Sequence, residues 1–118
     1  MIHPGPPPSA SSDLPFLRGE VYLIEPSGIE ENKYYLVVSN NARNSHLGTA
    51  LMVRITTSVK PEIASIIILP HGECVSGRVL CDDIEEVWSD QVVRRIGALS
   101  ISTMAAVNEA LKSALGLS

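Results

Sequence analysis

The stretch Glu20-Val21-Tyr22-Leu23-Ile24-Glu25 points to the fold class of this chain. Its four central side chains are all apolar or aromatic, with no polar alternation, which predicts a short β-strand buried on both faces. Five further short segments rich in Val, Ile, Leu and Tyr follow, at residues 34–39, 50–56, 63–69, 78–81 and 84–88. Turn-forming residues such as Pro26-Ser27-Gly28 and Pro70-His71-Gly72 separate them. Many short strands with tight breaks predict a small barrel.

The last third of the chain changes to helical periodicity. Residues 89–97 are predicted as a short helix that Ser89 caps, and residues 100–115 as a longer one. Apolar side chains recur in the longer segment at spacings of three and four, at Met104, Val107, Leu111 and Leu115. Gly116 follows at a position where helices commonly end. We expect this helix to pack on the barrel, which gives a mainly β fold with a C-terminal helix.

Length and composition exclude several classes of protein. At 118 residues and 12.7 kDa, the chain has the size of one domain with its own core. Aromatic residues make up only 4%, too few for a module that stacks many bases. The net charge of -4 argues against binding duplex DNA by bulk charge. Because no apolar run approaches the roughly 20 residues that span a bilayer, we predict a cytoplasmic protein without membrane contact.

The N-terminal segment differs from the rest. Five of its first 15 residues are proline, so we predict a disordered Pro-rich tail over residues 1–15 and a folded domain over 16–118. The two cysteines, Cys74 and Cys81, lack the spacing of a metal site and are too few for a disulfide framework. We therefore predict two buried thiols and no metal or other cofactor.

Charge is distributed unevenly along the chain. Between residues 32 and 80 the basic residues outnumber the acidic ones, with Lys33, Arg43, Arg54, Lys60 and Arg78 against Glu62 and Glu73. A small anionic ligand, such as a few nucleotides of single-stranded nucleic acid, can bind such a local patch although the whole protein is acidic. A scattered solvated surface is the alternative that charge alone leaves open.

Five segments, in order and at consistent spacing, carry a resemblance to a known family. They are Arg18-Gly19-Glu20-Val21-Tyr22, Lys33 with Leu36-Val37-Val38-Ser39-Asn40-Asn41-Ala42-Arg43-Asn44, Ile55-Thr56-Thr57-Ser58, Ser76-Gly77-Arg78-Val79-Leu80-Cys81-Asp82-Asp83-Ile84, and the ending from Arg95 to Leu117. Together they resemble the MazF/PemK toxins, and the Asn-rich segment is most similar to the mycobacterial and other actinobacterial branch. The resemblance covers residues 18–117.

The resemblance implies a fold and an activity. It implies an SH3-like small barrel of the CcdB/PemK/MazF type, assembled as a homodimer. It also implies a sequence-specific, metal-independent endoribonuclease, or mRNA interferase, that cleaves single-stranded RNA to 2',3'-cyclic phosphate and 5'-hydroxyl ends. Such a protein is the toxin of a type II toxin–antitoxin system. Its partners would be a MazE-like antitoxin and, only through the antitoxin complex, operator DNA.

The same resemblance assigns the catalytic residues. A basic residue, usually Arg followed by Pro, ends the loop between the first two strands in the family, and here Lys33 followed by Tyr34 stands at that position. Lys33 is the candidate catalytic cation, although a lysine lacks the planar fork with which Arg grips phosphate. Thr56 matches the family threonine at the end of the third strand, where its hydroxyl can donate to a phosphate oxygen.

Further residues are candidates for substrate binding. Thr57, Ser58 and Lys60 extend the polar rim beyond Thr56, whereas Asn41 and Arg43 lie in a predicted loop where they can bind RNA or simply form the turn.

Two more candidates come from the fourth segment of the resemblance. Some relatives carry an Arg two positions before the residue that matches Asp82, and Leu80 stands there in this chain. Arg78 can supply the missing cation if the strand register permits, and Asp82 can hydrogen-bond a base.

Three alternatives stay open at the level of sequence. A toxin of the same fold can act by binding a protein, like the gyrase poisons, without cleaving RNA. His46 and His71 can form an acid–base pair of another ribonuclease type. The third alternative is a barrel that has lost the activity.

Overall fold

The computed structural model describes residues 15–26 and 31–118, which form one antiparallel sheet and two helices. The elements are β1 (Glu20–Ile24), β2 (Lys33–Val37), α1 (Asn41–Leu47), β3 (Thr49–Thr56), β4 (Ile66–Ile68), β5 (Arg78–Trp88), β6 (Val92–Ala98) and α2 (Ile101–Leu115). The predicted tail lies outside the described residues except for Pro15, so the division at residue 16 stays a prediction.

The sheet has six strands in the order β4-β5-β3-β2-β1-β6, and all neighbours are antiparallel. The long strand β3 lies between β2 and β5 and pairs with β5 along its whole length. The end strands β4 and β6 are not paired with each other, so the ladder is open, which is compatible with an SH3-like fold. The prediction of a mainly β fold with a C-terminal helix is confirmed.

Both faces of the sheet carry apolar clusters, because its inner strands alternate buried side chains up and down. One cluster includes Val21, Leu36 and Val53 and is covered by α2 through Val107. The other includes Phe16, Tyr22, Tyr35, Val37 and Met52. The burial of β1 on both faces is therefore confirmed.

Helix α2 begins and ends as predicted. The Ser100 hydroxyl accepts a hydrogen bond from the Thr103 amide at 3.2 Å, which satisfies one of the free amides of the first turn. Gly116 adopts the left-handed conformation that closes the last turn. Val107 and Ala110 are buried against the sheet, whereas Leu115 at the end of the predicted stripe is exposed.

Two predictions of local structure are wrong. Residues 89–97 are not a helix: a 3-10 turn at Ser89–Gln91 leads directly into β6, which pairs with β1. The β-branched side chains of β6 suit a strand, and the open edge of β1 supplies its hydrogen-bond partners. The Asn-rich segment after β2 is the helix α1 rather than a loop, because the Asn40 side chain accepts from the Arg43 amide and caps the first turn.

Two further predictions need correction in part. The segments 78–81 and 84–88 are one strand, β5, with an irregularity. Arg54 pairs with Leu80 while Val53 pairs with Ile84, so residues 81–83 have no partner in β3. Cys81 is buried as predicted, but Cys74 is exposed because it lies in the loop before β5.

Candidate active site

Lys33 and Thr56 meet at one end of the central strands. The register of β2 and β3 pairs Tyr34 with Ile55, which places Lys33 opposite Thr56 one step further along. Opposed residues of an antiparallel pair project from the same face of the sheet. Both line one open cavity of about 370 Å³, together with Tyr34, Thr57 and Ser58. The structure thus brings together four predicted site residues from two separate segments.

The charge of Lys33 is available to a ligand. Its Nζ lies 3.8 Å from Glu31 Oε1, and the two side chains are 35% and 88% exposed. An ion pair between groups this exposed is weak, so a phosphate can displace the carboxylate at little cost. The ammonium of Lys33 is therefore placed to interact with an anion in the cavity.

The backbone just after β3 orients the Thr56 side chain. Its Oγ1 accepts a hydrogen bond from the Ser58 amide at 3.1 Å. A hydroxyl that accepts from the backbone still has its proton to donate. Thr56 can consequently give a hydrogen bond to a phosphate oxygen while its position is fixed.

Arg78 continues the row on the other side of Thr56. The β3–β5 register pairs Thr56 directly with Arg78, so Lys33, Thr56 and Arg78 form a cross-strand row over β2, β3 and β5. Arg78 is half-buried and also lines a neighbouring cavity of about 330 Å³ with Ile66 and Ile68 of β4. Two cations, Lys33 and Arg78, therefore flank the Thr56 hydroxyl. The prediction for Arg78 depended on the strand register, and the observed register meets that condition.

A glycine holds this end of β5 against Thr56. Gly77 has a φ of 124° and precedes Arg78. A Cβ atom at Gly77 would lie 2.4 Å from the carbonyl oxygen of Thr56. Only a residue without a side chain permits this approach, so Gly77 fixes the distance between the two strands at the candidate site.

Two residues beyond Lys33 on β2, Tyr35 makes a partly buried polar contact with β5. The Tyr35 hydroxyl donates to Glu85 Oε2 at 2.8 Å. Burial raises the pKa of Tyr35 to about 12, and the hydrogen bond to Glu85 acts in the same direction. Tyr35 is therefore protonated at neutral pH and ties β2 to β5 next to Lys33.

Arg43 lies far from this row. Its Nη1 donates to the Thr49 carbonyl oxygen at 2.9 Å, and its Nη2 lies 3.3 Å from Glu86 Oε2. Thr49 and Thr56 are the two ends of β3, about 20 Å apart at the rise of a β-strand. The structure thus uses Arg43 to tie α1 to the sheet, and its contact with RNA stays a prediction.

The other predicted binding residues also lie outside the cavity of Lys33. Asn41 Oδ1 accepts a hydrogen bond from the Arg18 amide at 2.7 Å, an anchoring contact. Lys60 lies in the loop after β3, and Asp82 is exposed in the irregular segment 81–83 of β5.

Sequence reasoning missed a second cavity beside the first. It has a volume of about 730 Å³ and is formed mainly by residues 69–76, with Tyr34 and Thr57. Tyr34, Thr57 and Ser76 line both cavities. The signal in the sequence was Tyr34 itself, an aromatic residue next to Lys33 at a position where the family usually has Pro.

Across residues 15–26 and 31–118, no three His, Cys, Asp or Glu side chains are grouped so that they could hold a metal ion. Within the same ranges, no helix is long and apolar enough to cross a membrane.

Comparison with known proteins identifies relatives over most of the chain. The chain is 36% identical over 101 residues to endoribonuclease MazF1 of Mycobacterium bovis and to endoribonuclease MazF4 of Mycobacterium tuberculosis. Each alignment covers 86% of this chain and 93% of the relative. These proteins have nearly the same length as the described domain.

Solved structures give the same relationship. An endoribonuclease from a mycobacterial species, solved in complex with its cognate antitoxin, matches with a TM-score of 0.81 and 36% identity over 88% of this chain and 98% of that one. The MazE-MazF complex of Deinococcus radiodurans matches with a TM-score of 0.69 and 27% identity over 88% and 97%. The family model of the PemK-like, MazF-like toxin of type II toxin–antitoxin systems matches residues 17–115. The chain therefore belongs to the PemK-like, MazF-like toxin family.

Proposed function

We propose that this chain is an endoribonuclease toxin that cuts single-stranded RNA at a short sequence without a metal ion. The observation that carries the proposal is the cross-strand row of Lys33, Thr56 and Arg78, in which Lys33 and Thr56 line one open cavity and Arg78 lines the neighbouring one. Relatives named endoribonucleases, aligned over 86% of the chain, support RNA as the substrate.

The chemistry uses the 2'-hydroxyl of the RNA as the nucleophile. It loses its proton and attacks the adjacent phosphorus, the bond to the 5'-oxygen breaks, and that oxygen gains a proton. The products are a 2',3'-cyclic phosphate and a 5'-hydroxyl. Negative charge builds up on the phosphorane oxygens in the transition state, and preorganised donors aimed at them lower the barrier.

Each residue of the row has a role in this scheme. Lys33 places its ammonium next to the phosphorane, and Thr56 donates a hydrogen bond to one of its oxygens. Arg78 adds a second cation, on the opposite side of Thr56 from Lys33. Thr57, Ser58 and Lys60 extend the rim along which the RNA chain binds, while Asn41, Arg43 and Asp82 are candidates for more distant contacts.

Substitution of the two central residues tests this assignment. We expect Lys33→Ala and Thr56→Ala each to lower the cleavage rate by about 100-fold or more, because each removes a transition-state contact. Thr56→Ser keeps the hydroxyl and should retain most of the rate. Lys112→Ala, on α2, is the matched loss of an exposed lysine and should leave the rate unchanged. Cleavage at the wild-type rate by both alanine variants would overturn the assignment.

We further propose that a MazE-like antitoxin inhibits the protein and that the chain forms a homodimer. The solved relative that is bound to its cognate antitoxin supports the first partner. An extended acidic segment of the antitoxin would suit the cations Lys33 and Arg78, and operator DNA would be bound only by the joint complex. Size-exclusion chromatography with light scattering, with and without the antitoxin, tests both assemblies.

A further inference from the structure

Tyr34 is unusual among the aromatic residues of this protein. All five lie in the described ranges, and Phe16, Tyr22 and Tyr35 are buried in the core while Trp88 is half-buried. Tyr34 alone is exposed, with 37% of its surface accessible. An accessible ring in a chain with so few aromatics requires an explanation, and its position supplies one.

The ring lies where the two cavities meet. Tyr34 follows Lys33 on β2 and pairs with Ile55, so its side chain leaves the face opposite to that of Lys33 and Thr56. It nevertheless lines the cavity of Lys33 as well as the larger one beyond it. An RNA strand whose phosphate lies at Lys33 and Thr56 passes the Tyr34 ring where it crosses into the larger cavity.

The larger cavity has the composition of a nucleobase site. Leu69 and Val75 supply apolar surface, and the hydroxyls of Thr57 and Ser76 with the His71 imidazole supply donors and acceptors for base edges. Its volume of about 730 Å³ falls within the range of small-molecule sites.

The carboxylate in this cavity is already engaged. Glu73 accepts hydrogen bonds from the Ser100 amide at 3.0 Å, from the Ser100 hydroxyl at 2.7 Å and from the Thr103 hydroxyl. These bonds lower the pKa of Glu73 and hold its charge at the N-terminus of α2, where the helix dipole offsets it. The Glu73 carboxylate therefore stabilises the start of α2, and it repels RNA less than a carboxylate without these contacts would.

We propose that Tyr34 stacks on the nucleobase next to the scissile phosphate and that the cavity of residues 69–76 holds this base. The inference rests on the proposed ribonuclease function and deepens it, because it names a residue that binds and orients the substrate. Stacking of a base on an aromatic side chain strengthens binding by roughly 5- to 150-fold.

The test uses an oligoribonucleotide that contains the mapped cleavage sequence, with 2'-deoxyribose at the cut nucleotide to prevent cleavage and 2-aminopurine at the adjacent base. Wild-type protein should quench the 2-aminopurine fluorescence, because stacking quenches this base. Tyr34→Leu, which keeps an apolar side chain but removes the ring, should abolish the quench and weaken Kd at least 5-fold. Tyr34→Phe should retain the quench.

The outcomes separate this inference from the ribonuclease proposal. Suppose that the wild type cleaves the parent RNA, which has ribose at the cut nucleotide, and that Tyr34→Leu binds and quenches the deoxyribose-containing RNA like the wild type. The inference is then wrong, and the ribonuclease proposal stands. If Tyr34→Leu weakens only the antitoxin complex, the ring serves the protein partner and the inference is also wrong. Thermal denaturation followed by circular dichroism confirms that each variant is folded.

Discussion

The resemblance to the family matches Lys33 with a position that is usually Arg, and the proposed site has a second cation in the same cross-strand row. An ammonium is a point charge and cannot bind two phosphate oxygens in the planar manner of a guanidinium. In this structure Arg78 lies on the other side of Thr56 in the same cross-strand row, and under the proposed function its guanidinium would supply the planar contact that Lys33 lacks. We therefore propose that Lys33 and Arg78 share the task that one Arg performs in other members of the family.

A second residue with informative contacts is Glu20, whose carboxylate is buried. It accepts hydrogen bonds from the Leu17 amide, the Tyr22 hydroxyl and Arg95 Nε, the last at 2.6 Å. Burial by itself would raise its pKa, but these hydrogen bonds outweigh burial and hold the pKa below its ordinary value of 4.5. The ionised carboxylate thus stabilises the folded state.

This shift predicts how stability depends on pH. Because the folded pKa of Glu20 is lowered, its contribution is fully present above pH 4.5 and is lost as the pH falls through the folded value. We expect Glu20→Gln to lower the free energy of unfolding at pH 7 by about 1–3 kcal/mol. The difference from the wild type should shrink when urea denaturation is repeated near pH 3.

A matched control is Glu109→Gln, which changes an exposed carboxylate on α2. This variant should differ from the wild type by less than about 1 kcal/mol at both pH values. A deficit of Glu20→Gln that is equally large at pH 7 and pH 3 would contradict the role given to the ionised carboxylate.

Local sequence patterns predicted those strands and helices that local interactions determine. Strands β1, β2 and β3 are short apolar runs, and α2 has a cap, an apolar stripe and a terminal glycine, so each was recognisable. Helix α1 had comparable signals, since Asn40 caps it and Gly48 ends it in the left-handed conformation. Its Asn-rich sequence also favours turns, and the helix is indicated only when the Asn40 cap and the Gly48 end are considered together.

Strand β6 could not be predicted in the same way. Its sequence permits a short helix, and only β1, more than 60 residues earlier in the chain, supplies the partner that makes it a strand. The site shows the same limit. The resemblance to a family identified Lys33 and Thr56, whereas the positions of Arg78, Gly77 and Tyr34 depend on strand register, which no single segment encodes.

The start of β5 provides a prediction about how this strand positions Thr56. A Cβ at Gly77 would lie 2.4 Å from the Thr56 carbonyl oxygen, and a φ of 124° is strained for any other residue. We expect Gly77→Ala to lower the free energy of unfolding by about 2 kcal/mol or more and to reduce RNA cleavage at least 10-fold, because Thr56 must move. Urea denaturation and a cleavage assay measure the two effects.

Gly48→Ala separates strain from contact. Gly48 also has a positive φ, of 72°, but a Cβ there meets nothing within 4 Å, and it lies at the end of α1 away from Thr56. This variant should lose about 1 kcal/mol of stability and keep its cleavage rate. Equal activity of the two variants would show that Gly77 does not position Thr56.

At the scale of the whole molecule, the protein is acidic and yet presents cations at one place. The net charge is -4, while Lys33 and Arg78 lie on one face at one end of the central strands. Arg43 and Arg95, in contrast, form shorter ion pairs with Glu86 and Glu20, at 3.3 and 2.6 Å, than the 3.8 Å pair of Lys33 with Glu31. Local charge placed by the sheet, rather than total charge, is therefore the basis of the proposed RNA site in this acidic protein.

The most direct test of this account is cleavage of a long single-stranded RNA by the purified protein in EDTA, with the cut ends mapped by primer extension. We expect discrete cuts at one recurring short sequence, 2',3'-cyclic phosphate and 5'-hydroxyl ends, and at least a 100-fold slower reaction with Lys33→Ala. RNA that stays intact with folded, antitoxin-free protein, or cleavage that EDTA abolishes, would contradict the account.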